Sequence, residues 1–169
     1  MRQFGFDFVR DYKKEHGGSL ALGKRKSRRP FSTKHPLLLT LKSQTSSYFN
    51  PTNWALEKLI KSQARKYKIT IYKISLNWTH IHVLLKFPSK EAYLAFIRTV
   101  TARIIDLLEE KTKRSLTGLF DLLPHTKILT WGRQFNIVKE YHDLNDQEAR
   151  GMIRRKKKSA PSAKIKKSD

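Results

Sequence analysis

Residues 77–87 read Asn77-Trp78-Thr79-His80-Ile81-His82-Val83-Leu84-Leu85-Lys86-Phe87, and the period of this stretch decides the fold. A strand sends successive side chains to opposite faces. Ile81, Val83, Leu85 and Phe87 then line one face, while His80, His82, Leu84 and Lys86 line the other. The first face is wholly apolar and belongs against a core. The second carries two imidazoles two residues apart, side by side, spaced so that both can ligate one metal ion. Taken alone, the pair more often means two histidines on a half-exposed strand that holds no metal, so the neighbouring segments have to decide.

Working outward, Ile69 to Asn77 reads as a preceding strand. A tight connection around Asn77-Trp78 makes the two an antiparallel hairpin. Pro36 to Ser43 is a compact apolar run and the first strand of the series. Asn50-Pro51 places a capping residue before a proline at the first helical position, and Leu56, Leu59, Ile60, Ala64 and Tyr67 follow at helical spacing through residue 67. On the other side, Ser89 caps a long helix whose stripe is Tyr93, Phe96, Ile97, Val100, Ile104, Leu107 and Leu108. That helix fades over Glu109 to Ser115. Gly118 and Pro124 break the next stretch, Lys127 to Trp131 reads as a fourth strand, and a last helix runs over 134–150 with Gly151 at its stop. The order predicts an α+β domain over residues 36–153: a ferredoxin-like β-α-β-β-α-β antiparallel sheet. Two helices cover one face, and the C-terminal helix lies over the face that carries His80 and His82.

The chain of 169 residues has a formal net charge of +22 and no cysteine. Disulfides and thiolate metal sites are therefore excluded. No run approaches eighteen apolar residues and the first ten lack a signal-peptide core, so no membrane partner is expected. Together with the missing cysteines this predicts a cytoplasmic protein. The basic excess is concentrated at the ends. Residues 1–36 carry ten Lys/Arg against three Asp/Glu, and 154–169 carry eight against one. A polyanion, nucleic acid before membrane lipid, is the implied partner. Residues 1–35 read as a basic arm, with Lys24, Arg25, Lys26, Arg28 and Arg29 placed to meet phosphates; Phe4, Phe6 and Phe8 alternate as a short edge strand would. Residues 154–169 read as a disordered basic tail.

The last helix carries Val138, Tyr141, Asn145 and Ala149 close to one face. Tyr141 and Asn145 are four residues apart and so are surface neighbours. Over the open sheet face they can offer a phenol and a carboxamide to a metal held by the two histidines. Alone, they also fit a packed tyrosine and a solvated asparagine.

The strand Thr79–Phe87 followed by a helical tyrosine resembles the single-tyrosine HUH transposases, including the REP-associated tyrosine transposase-like proteins. Residues 17–36 and 131–151 share in the resemblance, in the same order along the chain. It implies that His80 and His82 bind a divalent cation, Mg²⁺ or Mn²⁺, and that Tyr141 attacks a DNA phosphodiester. Asn145 occupies the position where the family has a polar residue, often glutamine, with the same amide on a side chain one methylene shorter. The implied product is a 5′-phosphotyrosine and a 3′-OH, and the implied partner is single-stranded or hairpin DNA, bound by a monomer or homodimer at a prokaryotic nucleoid. Lys86, on the histidine face, and Arg133, at the start of the last helix, join the basic arm as expected DNA contacts. His125, His142 and Asp143 lie near the motif with no assigned role. A different class also fits these residues: a non-catalytic nucleic-acid-binding module, a domesticated transposase among them, stacking bases on Tyr72 and Trp78 of an open sheet face.

Overall fold

The computed structural model describes residues 14–25, 27–43, 48–120 and 122–154. The alternating phenylalanines 4, 6 and 8, Lys26 and the tail from residue 155 onward lie outside the described residues. The elements in chain order are β1 (Glu15–His16), β2 (Leu37–Lys42), α1 (Trp54–Lys66), β3 (Thr70–Asn77), β4 (His80–Lys86), α2 (Lys90–Thr112), β5 (His125–Ile128) and α3 (Arg133–Ala149). The sheet is antiparallel throughout, in the order β1-β5-β2-β4-β3. Without the two-residue β1, its four strands and α1 and α2 make the expected ferredoxin-like α+β arrangement.

The histidine strand is central. Leu41 pairs with Ile81 and Leu39 with Val83 on one side; Leu76 pairs with Ile81 and Ile74 with Val83 on the other. Ile81, Val83, Leu85 and Phe87 are buried in one core with Leu56, Ile60 and Ala64 of α1 and Phe96, Val100 and Ile104 of α2. Each of these side chains larger than alanine contributes roughly 1.5–3 kcal/mol on leaving water. Ser89 caps α2, its hydroxyl accepting from the Ala92 N–H at 3.2 Å, and Lys113 ends that helix in the left-handed region.

β3 contains an irregularity that its composition explains. Its apolar residues switch phase, from Ile69 and Ile71 to Ile74 and Leu76, and a two-residue repeat cannot keep both sets inside. The register shifts between Ile71 and Lys73, which absorbs one residue at Tyr72 and returns Ile74 and Leu76 to the core side. Lys73 then faces Leu84, Ser75 faces His82 and Asn77 faces His80, all on the histidine face.

Three sequence expectations shift. α1 begins at Trp54 rather than after Asn50, because the Asn50 side chain accepts from the backbone N–H and hydroxyl of Thr52 at 2.8 Å and closes a turn of its own. The fourth strand is His125–Ile128 rather than Lys127–Trp131. Leu37 pairs with Ile128, and the preceding Pro36 has no N–H, so the ladder finishes with Leu129 donating to the Pro36 carbonyl at 2.9 Å. The basic arm, in turn, is a packed element over its described part. Glu15 and His16 pair with Lys127 and Thr126, Phe31 meets Phe87 and Tyr93 edge-on, and Arg29 donates to the Pro124 carbonyl and to Thr126 Oγ1 at 2.9 and 2.7 Å.

The hinge of that segment is Gly17-Gly18. Gly17 has φ +85°, and a Cβ on it would sit 2.2 Å from the Pro124 oxygen. Gly17→Ala is therefore expected to cost more than the ~1–2 kcal/mol of left-handed strain alone. Gly23→Ala, at φ +66° with no atom within 4 Å, should show only the strain. Thermal melting of both variants checks this; equal losses would mean the close approach to Pro124 contributes nothing.

Candidate metal and nucleophile site

The site is built from the outward faces of β2, β3 and β4 and from one side of α3. Residues in α3 that turn inward recur every three or four positions: Phe135, Val138, His142, Asn145 with Asp146, and Ala149 are half-buried or buried, whereas Arg133, Ile137 and Tyr141 are exposed. Gly151, at φ +75°, closes the helix. Its N–H bonds to the Glu148 carbonyl and that of Met152 to the Gln147 carbonyl, the paired bonds of a Schellman stop. Two attachments hold the helix to β3. The first is aromatic: Tyr72 meets Trp131 and Phe135 edge-on at 5.6 and 5.2 Å between centroids. The second is ionic, Lys73 reaching Asp143 at 2.6 Å and Asp146 at 3.7 Å.

These attachments bring four rings into series. The His80 and His82 centroids are 4.6 Å apart, His82 and His142 are 4.4 Å apart, and His142 and Tyr141 are 5.6 Å apart. Tyr141 is 41% exposed at one end of the series and His142, at 2%, is sealed in its middle. Among the described tyrosines only Tyr141 is exposed; Tyr93 is in the core, and Tyr67 bonds Thr99 on the helical side.

Each histidine of the pair has a threonine on its Nδ1: Thr79 Oγ1 for His80 and Thr40 Oγ1 for His82, both at 2.9 Å. These bonds fix the orientation of both rings, and in the tautomer with the proton on Nδ1, where the hydroxyl accepts, the lone pair is left on Nε2. Burial, then the neighbouring His142 and His80, brings His82 down to about 2, and burial, then His80 and Lys73, brings His142 to about 4. His80 is lowered by burial and by Lys42. All three rings are thus neutral at pH 7, the state that coordinates a cation. Neutral imidazole nitrogens suit a divalent ion that keeps positions for oxygen ligands, and Asn145 is the half-buried carboxamide on the inward side of α3. Among the described residues no three His, Cys, Asp or Glu side chains are grouped to hold a metal.

Of the other expected contacts, Lys24, Arg25 and Arg28 are exposed on the packed N-terminal segment, and Arg133 is exposed at the start of α3. Lys86 lies over the Trp131 ring at 5.9 Å. Arg29 is turned inward, donating to the Pro124 carbonyl and to Thr126 Oγ1. Lys26 is outside the described residues. Of the two expected stacking platforms, Tyr72 is half-buried and meets Trp131 and Phe135 edge-on, whereas Trp78 is exposed. Sequence reasoning passed over Thr40 and Lys42 and left His142 without a role. The first two needed the β2–β4 register, which pairs Thr40 with His82 and Lys42 with His80. His142 was legible in the stripe Phe135-Val138-His142, which points it inward.

Residues 31–121 match the family model described as "Transposase IS200 like". The matched stretch is more than half of the chain and takes in β2 through α2 with both histidines; it ends before α3. No curated protein matches the chain.

The depressed imidazoles make stability depend on pH. An unfolded histidine titrates near 6.5, while His82 and His142 stay neutral in the fold until far lower pH. The unfolded chain therefore binds more protons on acidification. Stability is complete above about pH 6.5 and is lost as pH falls toward 4 and below. Urea unfolding between about pH 6.5 and 5, above the carboxylate range, should show a decline of at most about 1.4 kcal/mol per pH unit for each imidazole. His142→Asn should remove one imidazole's share, and a flat profile in the parent protein would contradict the burial.

Proposed function

The chain belongs to the IS200-like transposase family, and from that membership we propose that it cleaves and rejoins single-stranded DNA through a covalent link to Tyr141. The observation that carries this reading is the ring series from His80 to Tyr141, with the one exposed tyrosine of the described chain at its end. His80, His82 and Asn145 would hold Mg²⁺ or Mn²⁺, which when bound polarises a non-bridging phosphate oxygen and offsets charge on the reacting phosphate.

The chain's own residues supply the rest. The Tyr141 oxygen forms a bond to phosphorus as the bond from phosphorus to the 3′-oxygen breaks. The phenol gives up its proton, and the departing oxygen takes one and leaves as a 3′-OH. One phosphoester replaces another, so rejoining by a 3′-OH needs no nucleotide cofactor. His142 packs between the nucleophile's ring and the histidine pair and keeps the tyrosine's turn of α3 against β4. Lys24, Arg25, Arg28 and Arg133 supply phosphate contacts that position the strand without reading its sequence. A helix over the sheet face admits one strand more readily than a duplex, so a single strand flanked by a hairpin is the substrate of choice, with residues 17–36 beside the hairpin.

The test uses a labelled pool of random single-stranded oligonucleotides carrying hairpins, incubated with Mn²⁺ and then denatured. A covalent adduct should form, vanish with chelator, and be absent in Tyr141→Phe, which keeps the ring and loses only the attacking oxygen. His80→Ala with His82→Ala should abolish both the adduct and calorimetric Mn²⁺ binding. Asn145→Ala should slow adduct formation about tenfold, the lower end of what one supporting ligand contributes. An adduct that persists in Tyr141→Phe would defeat the assignment.

A further inference from the structure

The histidine face continues across β2 toward the N-terminal segment, and what lies there is hollow. Thr40 and Lys42, paired in register with His82 and His80, also line a cavity of about 250 Å³. Its far side is His125, which pairs with Thr40 on β5, and its walls are Gly18, Leu20, Leu122 and Leu123. Leu20 and Leu123 are shared with a second hollow of about 530 Å³, whose rim carries Lys24 and Arg25. Strands lie ~4.8 Å apart, so the smaller cavity begins one strand from His82 and ends about two strands from it.

The lining has a chemical order. Next to the histidines is a cation, Lys42; then come leucine side chains and the backbone of a glycine turn; beyond the shared wall are two more exposed cations, Lys24 and Arg25. A single strand of nucleic acid presents the matching series: phosphate, flat base, phosphate. About 250 Å³ is below the ~300–1,000 Å³ of pockets that take whole drug-sized ligands, a size for a base without its sugar and phosphate. The one carboxylate in the larger hollow, Glu15, is joined to Lys127 at 2.5 Å and so presents little charge to a phosphate. The walls are also fixed in place. Gly18, at φ +59°, lies so close to His125 that a Cβ would be 3.0 Å from the histidine Cβ, and its N–H donates to the Leu123 carbonyl at 2.7 Å.

We propose that the cavity between Lys42 and the Leu20–Leu123 wall holds the base of the nucleotide next to the phosphate placed at His80 and His82, and that the larger hollow receives the strand beyond it. The inference rests on the single-strand reading above but not on Tyr141 being the nucleophile, and its test is run in Tyr141→Phe protein. An oligothymidylate of about 16 nucleotides, the upper site size of many single-strand binders, carries 4-thiothymidine at one position per oligonucleotide and is irradiated in the complex. Crosslinks should map to peptides containing residues 17–25 or 122–125. In parallel, fluorescence anisotropy compares that oligonucleotide with an abasic strand of equal length. The base-bearing strand should bind about fivefold or more tightly, within the range that base contacts contribute. Leu123→Asn, at an exposed position that should not disturb folding, and Leu20→Asn should each shrink that preference. Crosslinks confined to other peptides, equal binding of the abasic strand, or an undiminished preference in both variants would each overturn the proposal. A protein that crosslinks as expected but never forms a covalent tyrosine adduct would keep the pocket and lose the nucleophile.

Discussion

Strand β4 is paired along both edges, to β2 on one side and β3 on the other, and its two faces have opposite duties. Ile81, Val83 and Leu85 face the core beneath α1 and α2, while His80 and His82 face out beneath α3. A slip of one residue would exchange the faces, exposing three large aliphatic side chains and burying both imidazoles under the helices. The register is thus held by apolar burial of several kcal/mol, and the site inherits that precision without supplying it. One of the two threonines depends on the same register. Thr40 reaches His82 only because the β2–β4 ladder sets them opposite, so a chemical detail of 2.9 Å rests on hydrophobic packing across the sheet.

The second dependence runs through α3. That helix has a modest apolar stripe and carries His142 where a core helix would carry leucine. A buried imidazole without a hydrogen bond on Nδ1 costs stability, and the Lys73 pairs with Asp143 and Asp146 and the Tyr72–Trp131–Phe135 cluster offset it. Lys73 can do this only because of the β3 bulge. Without the extra residue at Tyr72, Lys73 would project into the core with Ile71, and nothing ionic would hold the tyrosine helix to the sheet. One irregular residue in an edge strand therefore determines where the phenol sits.

The histidine strand, the hairpin before it, the capped α2 and the ferredoxin-like order were all legible because each rests on a local period or a local cap. The pair His80 and His82 was legible for the same reason. Features made by register or tertiary closure were not. The exit of β5 was misplaced because Ile128-Leu129-Thr130-Trp131 looks like a strand until Pro36, two strands away in sequence, is known to be its neighbour. The N-terminal segment reads as a solvated arm from its charge, yet Gly17 and Gly18 let it fold flat against Pro124 and His125, and Phe31 completes an aromatic cluster with Phe87 and Tyr93. Composition reports the average environment of a segment, and here a few residues overrule the average.

Charge illustrates the same point at the level of function. A formal +22 announces a polyanion partner but assigns equal weight to every cation. The fold separates them. Arg29 is committed to a carbonyl and a threonine, Lys73 to two aspartates and Lys127 to Glu15, and these hold elements together. Lys24, Arg25, Arg28, Lys42 and Arg133 stay exposed. Two of these, Lys42 and Arg133, start from elements that build the site, and the others ride on the segment packed against β5. The positive field is therefore attached to the same rigid sheet as the histidine pair. Charge and lone pairs are thus divided between residue types: lysine and arginine at the surface carry the permanent positive field, and histidines kept neutral by burial retain their ring lone pairs.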